Sequence, residues 1–336
     1  RARYGTAEGD RVWEAFRSQN DPETVLTLHD GQSFPFGQAP AGATGVVLPD
    51  PGTARPVDVT ENEEGSARTM EAAGADPLAG LTVEPNRPGM SNAVVVSAGK
   101  SATGHPIAVF GPQTGYFAPQ LLMLQELSGP GIRARGAAFA GLSFYVLLGR
   151  GTDYAWSATS ATVDITDTYA VTLCEPGGGT PTLSSDHYLY RGQCIPMETL
   201  RKRNSWKPNT ADPTPAGSYD LVIKRTKYGL VTWRGMVNGV PTAFTTLRST
   251  YLHEADSAIG FQMFNDPDEM GSASGFMNAA SKIGFAFNWF YVNSREAAYF
   301  TSADIPVRSP VSDPNLPMVA DEAHEWEGFD PETNTA

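Results

Sequence analysis

Ser91 begins a segment that reads like the first residues of a new polypeptide. The segment 91–97, Ser-Asn-Ala-Val-Val-Val-Ser, follows residues 37–90, whose composition is that of a linker. Cleavage of the Met90–Ser91 bond would place a hydroxyl nucleophile and a free α-amine on one residue. Because an α-amine titrates near pH ~8, it can act as a base at neutral pH where a lysine amine cannot. The sequence therefore predicts an N-terminal serine nucleophile that is exposed by self-cleavage.

Other sequence signals for catalysis are weak. Gly99-Lys100-Ser101 looks like the end of a phosphate-binding loop, but Val94 stands where that loop requires glycine. No Gly-x-Ser-x-Gly element is present, and the five histidines are scattered, which argues against a zinc site. A conventional Ser-His-Asp triad stays open as an alternative, although no histidine stands out.

Composition limits the classes of partner. The chain has 336 residues, 40% of them apolar, and a formal net charge of −13. Such acidity argues against nucleic acid or an anionic membrane surface as a partner, since either favours basic patches. No apolar run approaches the ~18 residues that a membrane span requires. These properties predict a folded protein with a real core, and the acidity is explained most simply by solubility.

The two cysteines, Cys174 and Cys194, allow two interpretations. Strands joined by a loop could bring the two sulfur atoms together as a disulfide, or the residues could be unrelated buried thiols. A disulfide would indicate a secreted or periplasmic protein.

The chain divides by composition into three regions. Residues 8–19 suit a short amphipathic helix, and residues 26–29 a short strand. Residues 37–90 are rich in Pro, Gly, Ala, Thr and acids, so they are expected to bury too little apolar surface to order. This segment is either an ordinary linker or a spacer that is removed or displaced during maturation. Both ends of the chain are expected to be cut from a longer polypeptide.

From Ser91 onward the pattern is that of β-structure with few helices. Short apolar runs bounded by Gly and Pro are typical of strands. The expected strands are 94–96, 107–110, 144–148, 154–158, 168–173, 219–225, 229–234, 258–264 and 285–292. A helix is expected over 276–283. This predicts an α+β fold that is strand-rich after residue 91.

Four motifs carry a resemblance to a known family. They are Ser91-Asn92-Ala93, Phe110-Gly111-Pro112-Gln113-Thr114-Gly115-Tyr116-Phe117-Ala118-Pro119, Trp156-Ser157-Ala158-Thr159-Ser160 and Phe287-Asn288-Trp289-Phe290-Tyr291. In this order and at these intervals the chain resembles the penicillin acylase family of N-terminal-nucleophile amidohydrolases, over about residues 91–330. The resemblance implies a four-layer αββα sandwich.

The resemblance also implies an organisation and a set of roles. Residues 1–36 correspond to the end of the α chain, 37–90 to the spacer, and 91–336 to the first part of the β chain. The precursor, an inactive zymogen, would cut itself between Met90 and Ser91, and the two chains would stay associated. Ser91 would be the nucleophile, with its own α-amine as base through a bridging water. The backbone carbonyl of Gln113 would orient that amine, and the backbone N–H of Ser160 would stabilise the oxyanion.

Two further sites are implied by the resemblance. The family's second oxyanion donor, an asparagine in a Trp-Asn-Asn element, has no counterpart in these 336 residues and is expected beyond Ala336 or on another chain. No cofactor is required for the chemistry. A structural calcium ion is possible, with other ligands expected from segments outside this chain. Its ligands here would be Asp164, Thr166, Asp167 and Pro314; turn formation is the alternative role for the two aspartates.

The resemblance implies a hydrophobic acyl substrate. Leu148, Phe264 and Phe287 occupy approximate positions of the family's acyl pocket, although plain core packing is the alternative for each. The substrate would be an acyl amide such as a β-lactam, an acyl-homoserine lactone or a lipopeptide, and a role in antibiotic biosynthesis is one expectation. The remaining α- and β-chain segments of the precursor would be the protein partners. The competing hypothesis is a secreted binding or structural protein that retains the fold without the chemistry.

Overall fold

The computed structural model describes residues 7, 42–62, 91–113, 121–141, 144–161 and 163–336. The chain divides into two units, residues 1–38 and 39–336, and apart from Ala7 the described residues belong to the second. The expected helix over 8–19, the expected strand over 26–29 and Met90 therefore lie outside the described residues.

Strands dominate the described part of the chain, which also contains two short α-helices that lie together. The elements are β1 (Arg55–Pro56), β2 (Thr60–Asn62), β3 (Asn92–Val96), β4 (Ile107–Gly111), β5 (Leu122–Gly129), β6 (Ile132–Phe139), β7 (Leu148–Arg150), β8 (Tyr154–Ser160), β9 (Thr166–Cys174), β10 (His187–Tyr190), β11 (Gln193–Pro196), β12 (Glu198–Trp206), β13 (Gly217–Thr226), β14 (Gly229–Val237), β15 (Val240–Arg248), α1 (Ser257–Phe264), α2 (Ala273–Ala280), β16 (Phe287–Asn293), β17 (Ala297–Ser302) and β18 (Met318–Val319).

The strands form three sheets. A ten-stranded sheet has the order β11-β10-β9-β15-β14-β13-β12, with β1 beside β14, β2 beside β13 and β18 beside β9. A six-stranded sheet has the order β17-β16-β8-β7-β6-β5, and β3 and β4 form a separate hairpin. The β18–β9 pair is parallel, whereas the strands of the six-stranded sheet and the hairpin pair antiparallel. The expected strand-rich α+β class is what the structure has.

One face of the six-stranded sheet carries an aromatic core. Trp289 and Tyr291 alternate along β16, so both side chains point to the same face, and both are fully buried. Phe264 of α1 and Phe276 of α2 pack against them, with ring centroids 4.9 Å apart for Phe264–Trp289 and 5.1 Å for Phe276–Tyr291. The two helices therefore cover this face and fix the position of β16.

The opposite face of the six-stranded sheet supports the β3–β4 hairpin. Phe290 points away from its neighbours Trp289 and Tyr291 along the strand, and its ring centroid lies 6.5 Å from that of Phe110 in β4. The hairpin's outer face includes the exposed side chains of Val94 and Val109.

The ten-stranded sheet has its own core and a disulfide. Tyr169, Tyr188 and Tyr228 are buried there with Trp326. Cys174 at the end of β9 is joined by a disulfide to Cys194 in β11. The bond crosses from β9 to the outermost strand of this side of the sheet, past β10, and so holds the β10–β11 hairpin in place.

An ion-pair cluster lies beside this sheet. The Asp186 carboxylate accepts hydrogen bonds from Lys224 Nζ at 2.8 Å and from Arg234 Nη2 at 3.4 Å. Burial alone raises the pKa of Asp186, but the hydrogen bond and charge of Lys224, together with Arg234, outweigh it and lower the pKa. The cluster ties the segment before β10 to β13 and β14.

Three sequence expectations differ from the structure. Residues 258–264 form part of helix α1 rather than a strand. A short apolar run fits the periodicity of a strand or of a helix, and here Gly260 and Phe264, four residues apart, both face the core. Of residues 144–148, only Leu148 belongs to a strand. Residues 42–62 do not behave as an unstructured linker, because β1 and β2 pair with β14 and β13 through backbone hydrogen bonds that need little apolar surface.

Candidate functional site

The β3–β4 hairpin brings Ser91 next to Gln113. Asn92 pairs with Gly111 in the antiparallel register, so the residues just beyond this pair meet at the open end of the hairpin. There the backbone N–H of Gln113 donates to Ser91 Oγ at 3.0 Å, and Ser91 Oγ donates to the carbonyl oxygen of Gln113 at 3.4 Å. The serine hydroxyl is thus oriented by the main chain of a residue 22 positions away.

The hairpin lies across the six-stranded sheet in one defined direction. At its turn end, His105 Nδ1 lies 2.9 Å from the carbonyl oxygen of Ser294, just beyond the C-terminal end of β16. Near its open end, Phe110 packs on Phe290. The open end, which carries Ser91, therefore extends toward the N-terminal end of β16.

The N-terminal end of β16 pairs with the C-terminal end of β8. Phe287, the first residue of β16, lies opposite Ser160, the last residue of β8. The open end of the hairpin, with Ser91 and Gln113, is directed toward this end of the sheet. The Phe287 side chain alternates with that of Asn288, so it lies with Trp289 on the face that the two helices cover.

Asn288 is the centre of a polar network at this end, and sequence reasoning assigned it no role. Its Nδ2 donates to Thr159 Oγ1 at 3.2 Å and to the carbonyl oxygen of Ser160 at 3.3 Å. Its Oδ1 accepts from Tyr299 OH at 2.6 Å and from Thr301 Oγ1 at 3.0 Å. The amide is therefore held on both sides and fixes the last residues of β8. The sequence contains one signal for this position. Asn288 and Phe290 are two residues apart in β16, so their side chains lie on the same face of the strand, which is the face toward the hairpin.

An apolar cavity of about 680 Å³ opens beside Phe287. Its walls include Phe139, Tyr145, Glu254, Ala258, Phe261 and Phe287. Of the three residues predicted to line an acyl pocket, Phe287 lies in this wall. Phe264 is fully buried in the aromatic core, and Leu148 packs against that core from β7. Phe139, Ala258 and Phe261 were missed because their elements come together only in the folded chain.

The predicted calcium ligands meet an arginine. Arg308 Nε donates to both carboxylate oxygens of Asp167, at 3.0 and 2.9 Å, and Arg308 Nη2 lies 3.0 Å from Asp164 Oδ2. Trp326 Nε1 adds a hydrogen bond to Asp167 at 2.5 Å. Burial raises the pKa of Asp164, and the charge of Arg308 opposes that rise. Both oxygens of Asp167 are thus already engaged.

Two other predicted ligands lie at turns. The backbone N–H of Thr166, the first residue of β9, donates to Asp164 Oδ1 at 3.3 Å, and Pro314 lies in a turn before β18. Within the described residues, no group of three or more His, Cys, Asp or Glu side chains is arranged to hold a metal ion. With Arg308 occupying the carboxylates, these residues do not fit a calcium ion, and the chemistry below uses none.

One histidine has triad-like partners. His324 Nε2 lies 3.2 Å from Thr44 Oγ1, and its Nδ1 lies 2.6 Å from Asp321 Oδ1. This is the hydroxyl–imidazole–carboxylate order of a catalytic triad. Gly45 lies so close that a Cβ there would be 2.4 Å from Nε2 of His324, so the ring is covered by main chain.

No helix in the described part of the chain has the length and apolar character needed to cross a bilayer.

Comparisons with known proteins identify a family and a likeness of fold. A family model described as penicillin amidase matches residues 7–335. Penicillin G acylase of Escherichia coli is 23% identical over 352 residues, covering 98% of this chain and 38% of the relative. A thermostable penicillin G acylase from Alcaligenes faecalis superposes with a TM-score of 0.50 at 22% identity, covering 70% of this chain and 37% of that one, which is a likeness of fold.

The chain spans less than two fifths of the length of both relatives. The family match, in contrast, extends over nearly all of it and includes the hairpin that begins at Ser91, both larger sheets and the segment after β17. The chain therefore belongs to the penicillin amidase family.

Proposed function

We propose that this chain is part of an amide hydrolase whose nucleophile is Ser91, exposed as an N-terminal residue by self-cleavage after Met90. The observation that carries the proposal is the main-chain clamp on the Ser91 hydroxyl, with Gln113 N–H and carbonyl at 3.0 and 3.4 Å. A serine whose hydroxyl is fixed in this way at the open end of a hairpin suits attack on an acyl group. Family membership supports acyl amides as the substrate class.

The chemistry proceeds in two acyl transfers. Ser91 Oγ attacks the amide carbonyl carbon while its proton passes through a water to the α-amine of the same residue. The oxyanion accepts a hydrogen bond from the backbone N–H of Ser160. Collapse breaks the C–N bond, and the leaving amine takes the proton from the α-ammonium. Water then attacks the carbonyl carbon of the Ser91 ester and gives a proton to the α-amine. Breaking the ester C–O bond releases the acid, and the α-ammonium returns the proton to Ser91 Oγ.

Two supporting roles complete the proposal. The Gln113 carbonyl, already next to Ser91 Oγ, is placed to accept from the α-amine and orient its lone pair. The second oxyanion donor comes from a segment outside these 336 residues, because the sequence contains no Trp-Asn-Asn element. No cofactor takes part.

The acyl group is proposed to be hydrophobic. The cavity beside Phe287 is walled mainly by aromatic and aliphatic side chains, which favour a phenylacetyl, aliphatic or lipopeptide acyl group over a charged one. The amine side could belong to a β-lactam or a homoserine lactone, since the described residues place no constraint on it. A methylene in such a pocket changes the barrier by only ~1–3 kcal/mol, so discrimination among these acyl groups is expected to be modest.

We further propose that the full protein has the four-layer αββα arrangement and acts outside the cytoplasm. The two helices, the six-stranded sheet and the hairpin supply a helical layer, a sheet and part of a second sheet. The Cys174–Cys194 disulfide supports a secreted or periplasmic location, because such bonds persist in oxidising compartments.

The deciding experiment is Ser91→Ala in the full-length precursor. We expect this variant to remain a single chain across Met90–Ser91 and to lack amidase activity, whereas Ser97→Ala, an exposed serine of the same hairpin, cleaves and turns over normally. Mass spectrometry of the chains and N-terminal sequencing give the readout. Splitting before residue 91 in the Ser91→Ala protein would contradict the proposal.

The same experiment separates the non-catalytic alternative. A binding protein that retains the fold would keep Met90–Ser91 intact in the unaltered protein and would not react with a serine-directed covalent inhibitor. The Ser91 mechanism requires a new N-terminal serine that such an inhibitor labels.

The histidine-based alternative has one specific observation in its favour, the Thr44–His324–Asp321 arrangement. Thr44→Val removes the hydroxyl while keeping the shape of the side chain. If Ser91 is the nucleophile, this variant keeps its amidase activity; a threonine-dependent triad would lose it.

A further inference from the structure

Residues 42–62, which we call the strap, are bound along the ten-stranded sheet by main-chain hydrogen bonds. At its start, Thr44 N donates to the carbonyl oxygen of Val311 at 2.9 Å, and Val47 N donates to that of Pro317 at 2.8 Å. Val319 N returns a hydrogen bond to the carbonyl oxygen of Gly45 at 2.7 Å. The strap thus begins as a partner of the segment that contains β18.

Farther along, the strap follows two central strands. Arg55 and Pro56 pair with β14, and Val57 N donates to the carbonyl oxygen of Thr232 at 2.9 Å. Residues 60–62 pair with β13, and Val222 N donates to the carbonyl oxygen of Val59 at 2.8 Å. The Val57 side chain packs against the core of this sheet.

Asp50 locks the strap to the turn between β14 and β15. Asn238 and Gly239 form this turn with positive φ values of 51° and 76°, as Asn-Gly hairpin turns do. The Asp50 carboxylate accepts from the backbone N–H of Asn238 at 2.9 Å and of Gly239 at 2.8 Å. Thr53 Oγ1 accepts from Met236 N at 3.1 Å. Charge-assisted hydrogen bonds of this kind are among the stronger ones.

At one contact the sheet and the strap approach each other so closely that a side chain would require the neighbouring main chain to shift slightly. A Cβ on Gly235 would lie 3.2 Å from the Cα of Ala54, and Ala54 is buried at 7% exposure. The strap therefore fits closely against a binding surface on the sheet, which we call its seat.

We propose that the strap remains in the mature protein as the C-terminal part of its first chain and binds that chain to the second after cleavage before Ser91. Any peptide that is excised then lies within residues 63–90. This rests on the proposed self-cleavage. It assigns the seat on β13, β14 and β18 as an inter-chain interface whose partner is residues 42–62 of the same precursor.

The first test is the mass of the chains in mature protein from the full-length precursor. We expect the first chain to end at or after Asn62 and to remain with the second chain through size-exclusion chromatography. Mature protein that lacks residues 42–62 overturns the proposal, even though cleavage before Ser91 has then been demonstrated.

The second test does not depend on self-cleavage. In the Ser91→Ala precursor, a protease recognition sequence replaces residues 72–78, and the protein is cut there. We expect the two fragments to stay associated. Asp50→Ala should then raise their dissociation constant at least about tenfold, because it removes two charge-assisted hydrogen bonds.

Leu48→Ala is the matched control, since the Leu48 side chain in the same strap is 56% exposed. It should leave the dissociation constant within about twofold. Fragments that separate on cutting, or that respond equally to Asp50→Ala and Leu48→Ala, overturn the proposal. If the Met90–Ser91 bond stays intact in the unaltered protein, the proposed function fails, and this second test alone decides whether the strap is an interface.

Discussion

Replacing Arg308 by methionine is expected to cost about 3–5 kcal/mol of the free energy of unfolding. The Asp167 side chain is fully buried, and that of Arg308 is 15% exposed. Methionine fills similar volume but removes every Arg308 hydrogen bond to Asp167 and the one to the Asp164 carbonyl oxygen at 3.1 Å. Among the described residues, the buried carboxylate then keeps only the indole N–H of Trp326 as partner. The cost is therefore that of leaving one charge of a buried pair uncompensated.

The assay is urea unfolding at neutral pH, followed by tryptophan fluorescence and far-UV circular dichroism. The matched control is Arg201→Met, because Arg201 pairs with Asp220 at 2.8 Å but its side chain is 50% exposed. An exposed pair is worth about 0–1 kcal/mol. The difference between the two variants thus isolates burial, since both lose an arginine–aspartate contact.

A double variant separates charge from shape. Asp167→Asn with Arg308→Met leaves neither charge unpaired, so its loss should fall short of the sum of the single losses by about 2 kcal/mol. If Arg308→Met costs no more than Arg201→Met, or if the two single losses simply add, the reasoning from buried charge is refuted.

Three further predictions concern the site and the acid stability. Asn288→Asp replaces the donor to the Ser160 carbonyl with a carboxylate oxygen; we expect kcat to fall about 10–100-fold, in analogy to the loss of a supporting hydrogen bond at a catalytic site, with KM little changed. Ala258→Phe should fill the cavity and raise KM for bulky acyl amides, while Ile259→Phe, on the exposed side of the same helix, should not, as steady-state kinetics on acyl chains of graded size will show. The lowered pKa of Asp186 means that its stabilisation is complete above the ordinary aspartate pKa of ~3.9 and is lost as pH falls through the lowered folded-state value. Asp186→Asn should therefore be less stable than the unaltered protein at pH 6 and converge with it at strongly acidic pH in denaturation midpoints.

The sequence predicts local features of the fold well. Alternation and apolar runs locate β3, β4, β8, β9 and β16, and the short intervening hairpin explains how Ser91 and Gln113 meet. Residues 258–264 were assigned wrongly because five apolar residues in seven fit either a strand or a buried helix, and the packing of Phe264 against Trp289 decides between them. The apolar pattern within residues 258–264 contains no information about a contact with Trp289.

The features that sequence could not predict all depend on distant pairs. Arg308 meets Asp167 across 141 residues, and Asn288 meets Ser160 across 128. The expected role of Ser160 came only from the family resemblance, whereas Asn288 beside it has no local signature. The strap was assigned as a linker on composition, yet backbone pairing to β13 and β14 requires free N–H and carbonyl groups rather than apolar side chains.

The candidate site residues depend on two strand registers. Side chains alternate between the faces of a sheet, so a slip of one residue in the β3–β4 pair would turn Ser91 away from the Gln113 main chain, and a slip in β8–β16 would separate Phe287 from Ser160. The His105–Ser294 contact at the turn and the Phe110–Phe290 packing near the open end fix the hairpin at two points. Two fixed points define the direction in which the hairpin lies on the sheet. They therefore set the position of its open end, where the Gln113 main chain holds the Ser91 hydroxyl.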